Sequence, residues 1–221
     1  MSRPPHQAAR DALVGAVLAA GDLWTAGLWH PSLWAWRMEH ALRRGFGSRS
    51  GARFGAQLAS RQVGEPAVAM VQGDTPWSVL ARVARDTGLC AGQVFVDAGA
   101  GQGLAAAVLS ALTGARGWAV EPMALLGERA RAGFAAARLP VTWVRTLEEV
   151  PVAECTLAWG AWTCVDAPSR AALEARLLSM RQGAWLVTVT HPAIHAGFAR
   201  QRETAHLFPW GRAEVHWHLR A

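Results

Sequence analysis

Asp97 closes an apolar run, Val94 to Val96, and glycines follow it at alternate positions, Gly99, Gly101 and Gly103. Glu121 closes a second apolar run, "GWAVEP", a short helix-length later. Glycine turns the chain tightly and lets bare backbone approach a ligand closely. A helix opening just beyond it aims further amides at the same point. A carboxylate at the end of the second run can accept hydrogen bonds from both hydroxyls of a ribose. The dinucleotide fingerprint G-x-G-x-x-G needs its third glycine at position 104, where Leu104 stands. A dinucleotide can also use an acid at the place of Glu121, so that residue alone does not choose the ligand. A glycine turn without any ligand is the third reading of the same residues.

The elements that must hold these residues can be read from the flanking pattern. From residue 94 onward, strands alternate with helices. "QVFVDAG" reads as a strand, "GLAAAVLSALTG" as a helix ending at Gly114, "GWAVEP" as a strand and "ALLGERARAGFAAARL" as a helix. "VTWVRT" and "CTLAWGAW" read as the third and fourth strands, "SRAALEARLLSM" as a helix and "GAWLVTVTH" as the fifth strand. The tail "HLFPWGRAEVHWHLR" reads as a hairpin joined at Trp210 and Gly211. Such alternation predicts an α/β fold, a mostly parallel sheet with helices on both faces. Ligands bind at the carboxyl ends of strands in such sheets, where Asp97 falls. Ahead of it, "QGDTPWSVLARVARDTGL" predicts a helix with Asp74 or Thr75 as cap and Pro76 at the first helical position. Its apolar stripe is Val79, Leu80, Val83 and Ala84.

The first 70 residues form a helical extension on this reading, and residues 71 to 221 form the core. Residues 6 to 29 predict one helix, and Ser32 caps a second running to about Arg44. "GFGSRSGARFG", 45 to 55, is a glycine-rich loop, and a short helix over 55 to 63 follows. The apolar stretch 12 to 36 is interrupted by Asp22, His30 and Pro31, and its longest clean run, Ala12 to Gly21, is too short to span a bilayer. Packed helices are one reading of it. A membrane-surface contact through Trp24, Trp29, Trp34 and Trp36 is the other.

All 22 basic residues are arginine, tyrosine is absent, and the formal net charge is +6. This usage points to a GC-rich genome more than to a task. The arginines form no dense block beyond Arg43, Arg44, Arg49 and Arg53, so a nucleic-acid partner is not expected. Cys90, Cys155 and Cys164 are odd in number and lack metal spacing, and no secretory leader is visible, which predicts the cytoplasm. His191 with His195 and His216 with His218 are the only paired histidines. Neither pair has a third ligand in sequence, so no metal is expected.

The spacing D-x-G-x-G-x-G resembles the first motif of class I methyltransferases, which bind S-adenosylmethionine (SAM). The segment "QGDTPWSVLARVARDTGLCAGQVFVDAGAGQG" further resembles the non-SET lysine methyltransferases of the disruptor-of-telomeric-silencing type, their bacterial relatives and the related mitochondrial enzymes. "LEARLLSMRQGAWLVTVTHP" and "FPWGRAEVHWHL" look like later pieces of that family, so the likeness covers roughly residues 70 to 221. It implies a seven-stranded Rossmann-like methyltransferase sheet with a C-terminal antiparallel hairpin. It implies SAM as cofactor. Asp74 and Thr75 would reach the amino-acid moiety of SAM, or only cap the next helix. Asp97 and the amides of Gly99, Gly101 and Gly103 would face its methionine portion. Glu121 would hold the ribose, with Pro122 and Met123 beside the adenine. Thr146 occupies the place of the family's adenine-binding acid, and Glu148 nearby is either its substitute or a solvated loop charge.

The likeness implies a methyl acceptor that is an amine, a protein lysine or another. "WGAWTC" stands where the histone-modifying members carry an asparagine pair. That departure keeps a small-molecule methyltransferase, and a non-catalytic binding protein of the same fold, as rivals. Methyl transfer is an in-line displacement governed by positioning, with a base needed only for a protonated nucleophile. The acceptor-side candidates are Trp159, Trp162, Thr163, Cys164 and His191. The two tryptophans wall an acceptor channel and face a cationic amine, or they are packing. His191 is a base, or a loop histidine bonded to backbone. Cys164 is a small buried residue and Asp166 a helix cap. The N-terminal helices would cover the cofactor and shape the acceptor site.

Overall fold

The computed structural model describes residues 75–221, together with residues 13, 14, 16–18, 20 and 21, which are helical. The N-terminal tryptophans, the glycine-rich loop and Asp74 lie outside the described residues. Among the described residues no helix is long and apolar enough to cross a membrane.

Seven strands form one sheet in the order β3-β2-β1-β4-β5-β7-β6. The elements run α1 (Trp77–Thr87), β1 (Val94–Ala98), α2 (Leu104–Thr113), β2 (Arg116–Val120), α3 (Ala124–Ala137), β3 (Val141–Val144), β4 (Cys155–Gly160), α4 (Ala167–Leu177), β5 (Trp185–Val189), β6 (Phe198–Phe208) and β7 (Gly211–Arg220). The first five strands pair in parallel, and β7 runs antiparallel to both β5 and β6. This is the α/β sheet with a terminal hairpin that the sequence predicts.

The central strands β1 and β4 are buried at every residue, which their continuous apolar runs require. One core lies between the sheet and α1, α2 and α3. It includes Leu80, Val83, Phe95, Leu109, Phe134, Trp159 and Trp217. The second core, on the α4 face, includes Val96, Trp162, Leu177 and Leu186. Each such large side chain contributes about 1.5–3 kcal/mol by leaving water.

Several boundaries differ from the sequence reading. Pro76 is the N-cap of α1, not its first helical residue. Its ψ of 139° is extended, and its carbonyl accepts the N–H of Val79 and of Leu80. The predicted apolar stripe of that helix is buried, and Trp77 joins it. β6 begins at Phe198, well before the predicted start of the hairpin. Its middle carries Arg200 to Glu203, polar and exposed at the sheet edge, so no apolar run announces it. The turn between β6 and β7 falls at Pro209 and Trp210. β3 stops at Val144 because Glu149 Oε1 takes the N–H groups of Arg145 and Thr146 at 3.0 Å each.

Candidate active site

The loop between β1 and α2 is built from left-handed backbone. Gly99, Gly101 and Gly103 have φ of 96°, 56° and 80°, a region most side chains avoid. At Gly103 a Cβ would also meet Phe134 Cζ at 2.5 Å and Ala130 Cβ at 2.9 Å. The loop therefore needs glycine for two reasons, backbone conformation and the close approach of α3. The N–H groups of Gly99 and Ala100 donate to the Val120 carbonyl at 3.1 and 2.9 Å, which fastens the loop to the end of β2.

Two buried acids flank this loop. Asp97 Oδ2 accepts the N–H of Ala106 at 3.1 Å and so serves the first turn of α2, whose own cap residue, Gly103, has no side chain. Burial pushes the Asp97 carboxyl up to about 7; the Ala106 N–H opposes this and the Glu121 charge adds to it. Glu121 Oε2 accepts the N–H of Gly101 at 3.0 Å, and Oε1 accepts that of Met123 at 2.9 Å. Burial raises the Glu121 carboxyl as well, against those two backbone donors. The Glu121 carbonyl takes the Trp143 indole N–H at 3.0 Å, which fixes the residue from behind.

This cradle suits a nucleoside that carries cationic groups. Each Glu121 oxygen holds one backbone donor and keeps a second lone pair for a hydroxyl. Gln102 is buried, and its Oε1 has no hydrogen-bond partner among the described residues. A Cβ built on Gly99 meets nothing within 4 Å among the described residues.

Of the other residues singled out in the sequence, Thr75 is buried just ahead of α1 and Pro122 is exposed beside Glu121. Thr146 is exposed and opens the 3-10 turn Leu147–Glu149. Glu148 is exposed and lies 3.8 Å from Arg176. The sequence reading missed Glu149, although T-x-x-E is the spacing of a capping box. Trp159 is fully buried beside Asp97 in the sheet register, and its Nε1 has no partner among the described residues.

The acceptor-side candidates gather where β4 and β5 end. Trp162 is fully buried, and its indole N–H donates to the Ala98 carbonyl at 3.2 Å, which ties the 3-10 turn Trp162–Cys164 to the residue before Gly99. Thr163 Oγ1 lies 3.0 Å from Thr190 Oγ1. Thr190 has φ 72°, unusual for a β-branched residue, and its carbonyl lies 3.3 Å from His216 Nε2. His191 follows it. Burial lowers the His191 imidazole, Arg170 and His216 lower it further, and a backbone hydrogen bond at Thr163 opposes them. Thr163 and His191 are thus together, and Trp162, just before Thr163, is buried in the core on the α4 face. Cys164 is half-buried rather than buried, and Asp166 caps α4 through the Ser169 N–H at 2.8 Å. Glu174, which sequence reasoning passed over, is buried on α4 and accepts the N–H groups of Ile194 and His195 at 2.9 and 2.8 Å. That carboxylate anchors the loop after β5.

No family model and no curated protein matches this chain. Solved structures do. An RNA methyltransferase from Salinibacter ruber in complex with S-adenosyl-L-homocysteine is 21% identical, covers 66% of this chain and 93% of its own, and superposes with a TM-score of 0.54. An O-methyltransferase from Bacillus cereus in complex with the same compound is 11% identical over 77% of this chain and 90% of its own, TM-score 0.54. A SAM-dependent methyltransferase from Aquifex aeolicus is 15% identical over 64% and 89%, TM-score 0.51. The fold is that of the class I SAM-dependent methyltransferases. The non-SET lysine subtype finds no counterpart among these neighbours. One of them acts on RNA, so the expectation of no nucleic-acid partner gains no support from them.

Proposed function

We propose that this chain is a SAM-dependent methyltransferase acting on an amine. The observation that carries the reading is the placement of Glu121, buried at the end of β2 with one oxygen on Gly101 N–H and the other on Met123 N–H. That geometry presents a fixed carboxylate to a vicinal diol, with the glycine backbone beside it. Glu121 would bind the ribose. Asp97, the amides of Gly99 to Gly103 and Gln102 Oε1 would meet the amino-acid end, with Asp74 and Thr75 closing over it. Pro122, Met123 and Thr146 would flank the base, and Trp159 would back the methionine portion.

Bound SAM supplies a methyl group activated on a sulfonium. The chain's own task is then to orient the nucleophile and exclude water. Trp162 positions the turn after β4 against Ala98. Thr163 is held by Thr190 and can hydrogen-bond the acceptor. His191, whose imidazole burial holds below its ordinary value, would accept a hydrogen bond from an amine that arrives neutral and so orient it. The resemblance of residues 70 to 221 to lysine methyltransferases supports a nitrogen acceptor. Titration with S-adenosylhomocysteine by calorimetry tests the reading. Saturable one-to-one binding, lost in Glu121→Ala, is expected; absence of heat in folded protein would refute it. Methyl-labelled SAM added with fractionated lysate then locates the acceptor in the protein, RNA or low-mass pool.

A further inference from the structure

One cluster of charge lies outside that site. Three guanidinium groups converge on a single carboxylate in the seam between α1 and β6. Asp86 Oδ2 lies 2.6 Å from Arg202 Nη2 and 3.3 Å from Arg82 Nε, and Oδ1 lies 2.9 Å from Arg85 Nε. Among the described residues, one acid against three bases leaves the cluster with two uncompensated positive charges. Asp86 is largely covered, its side chain 15% exposed, whereas those of Arg82, Arg85 and Arg202 are 40%, 73% and 39% exposed. Each guanidinium carries five donors, and the carboxylate uses few of them. The cluster thus presents a forked donor surface of the kind that binds phosphate. Arg202 lies over the Trp217 ring, its guanidinium carbon 4.0 Å from the centroid.

The cationic seam has a direction. β6 runs antiparallel to β7, and β7 antiparallel to β5, so β6 ends at the same edge of the sheet as the parallel strands. That edge carries the glycine loop. Going up β6 from Arg202, Thr204 and then His206 follow on the same face, 2.9 Å apart from Oγ1 to Nε2, the imidazole lowered by burial and then by the charge of Arg82. At the top of the hairpin stands Trp210, 40% exposed and stacked on Phe208 with ring centroids 4.7 Å apart. Arginines clustered at one end of the strand and an exposed ring at the other form the composition of a single-strand nucleic-acid track, in which cations hold the backbone and a ring stacks a base. A lipid surface fits less well, since the apolar ring stands at one end of the track rather than along it.

We propose that the α1–β6 seam binds the phosphodiester backbone of single-stranded RNA, with Trp210 stacking a base at the edge that carries the glycine loop. This rests on the methyltransferase reading for its purpose, which is to bring a nucleobase amine to the site. It rests only on the seam for the binding itself.

The test uses the full chain and a fluorescein-labelled, mixed-sequence single-stranded RNA, followed by anisotropy over a range of salt. Binding that weakens steeply with salt is expected. Arg85→Gln with Arg202→Gln should weaken it roughly tenfold or more, and should flatten the logarithmic salt slope by about 0.7 for each phosphate that is no longer neutralised. Trp210→Ala should weaken it about tenfold with little change in slope. Melting curves check that each variant is folded, and Arg85→Gln alone, at the most exposed of the three arginines, covers the case in which the double variant is not. RNA binding unchanged in all these variants would overturn the proposal. So would no RNA binding by the wild type, or capture of phosphatidylserine vesicles in place of RNA. Calorimetry with S-adenosylhomocysteine on the same samples separates the two readings: its failure in the wild type counts against the proposed activity, and an RNA signal absent from the wild type or unmoved by the variants counts against the seam.

Discussion

Gly101 and Glu121 stand 20 residues apart in the chain and meet through one hydrogen bond, backbone N–H to Oε2 at 3.0 Å. The bond joins the tip of the loop after β1 to the residue just after β2. Both partners are constrained, Gly101 by its φ of 56° and Glu121 by burial and a second bond to Met123. The proposed cofactor site depends on that junction.

Gly101→Val places a β-branched residue in left-handed backbone, at a cost of about 1–2 kcal/mol, and swings the amide away from Glu121. Calorimetry should show S-adenosylhomocysteine binding weakened by more than tenfold, with a melting temperature only a few degrees lower. Unchanged affinity in folded protein would remove the loop from the cofactor site.

Glu121→Gln keeps the shape and replaces one acceptor oxygen by a donor nitrogen. That nitrogen would face either Gly101 N–H or Met123 N–H, so one backbone donor loses its partner. A lost hydrogen bond to a charged group is worth about 1.5–3 kcal/mol. Ten- to hundredfold weaker S-adenosylhomocysteine binding is the expected result.

The Asp97 carboxyl sits at about 7 in the folded protein, above its ordinary value of 3.8, because it is buried. The native state therefore holds a proton that the unfolded chain has released in that interval. Stability from this group is complete below about 4 and is lost as pH rises through about 7. Glu121, shifted in the same direction, adds to the trend. The melting temperature of the ligand-free protein should fall across this window, and Asp97→Asn should flatten the fall and melt a few degrees higher at pH 8.

Gly103→Ala drives a methyl group to within 2.5 Å of Phe134 Cζ from a backbone φ of 80°. The expected loss is about 1–3 kcal/mol, read as a lower denaturation midpoint. Adding Phe134→Leu should return part of it, because space is then opened where the methyl group points.

The loop proposed to hold the cofactor was legible in the sequence because its pattern is local. Asp97 and Glu121 each close an apolar run, the alternate glycines follow Asp97, and the structure sets them around one loop. The cluster proposed to face the acceptor was legible only in part. Thr163 and His191 could be picked out by following strands to their ends. Thr190 and His216 could not, since nothing in the residue types signals a positive φ at a threonine or a histidine facing its carbonyl. β6 escaped for a related reason. An edge strand with polar side chains lacks the apolar alternation that marks a strand, and its identity comes from pairing with β7. Asp86 and Arg202, 116 residues apart, were invisible as a pair for the same cause.

β7 is made last of the seven strands, yet it lies between β5 and β6. During synthesis β6 therefore has no place on the sheet until the segment Gly211–Arg220 has left the ribosome. Up to that moment Val187 and Val189 at the rim of β5 lack the cover of Val215 and Trp217. The nascent polypeptide thus carries a sticky open flank until its late keystone arrives, and a stop codon just before that segment should yield aggregates rather than a shortened folded chain.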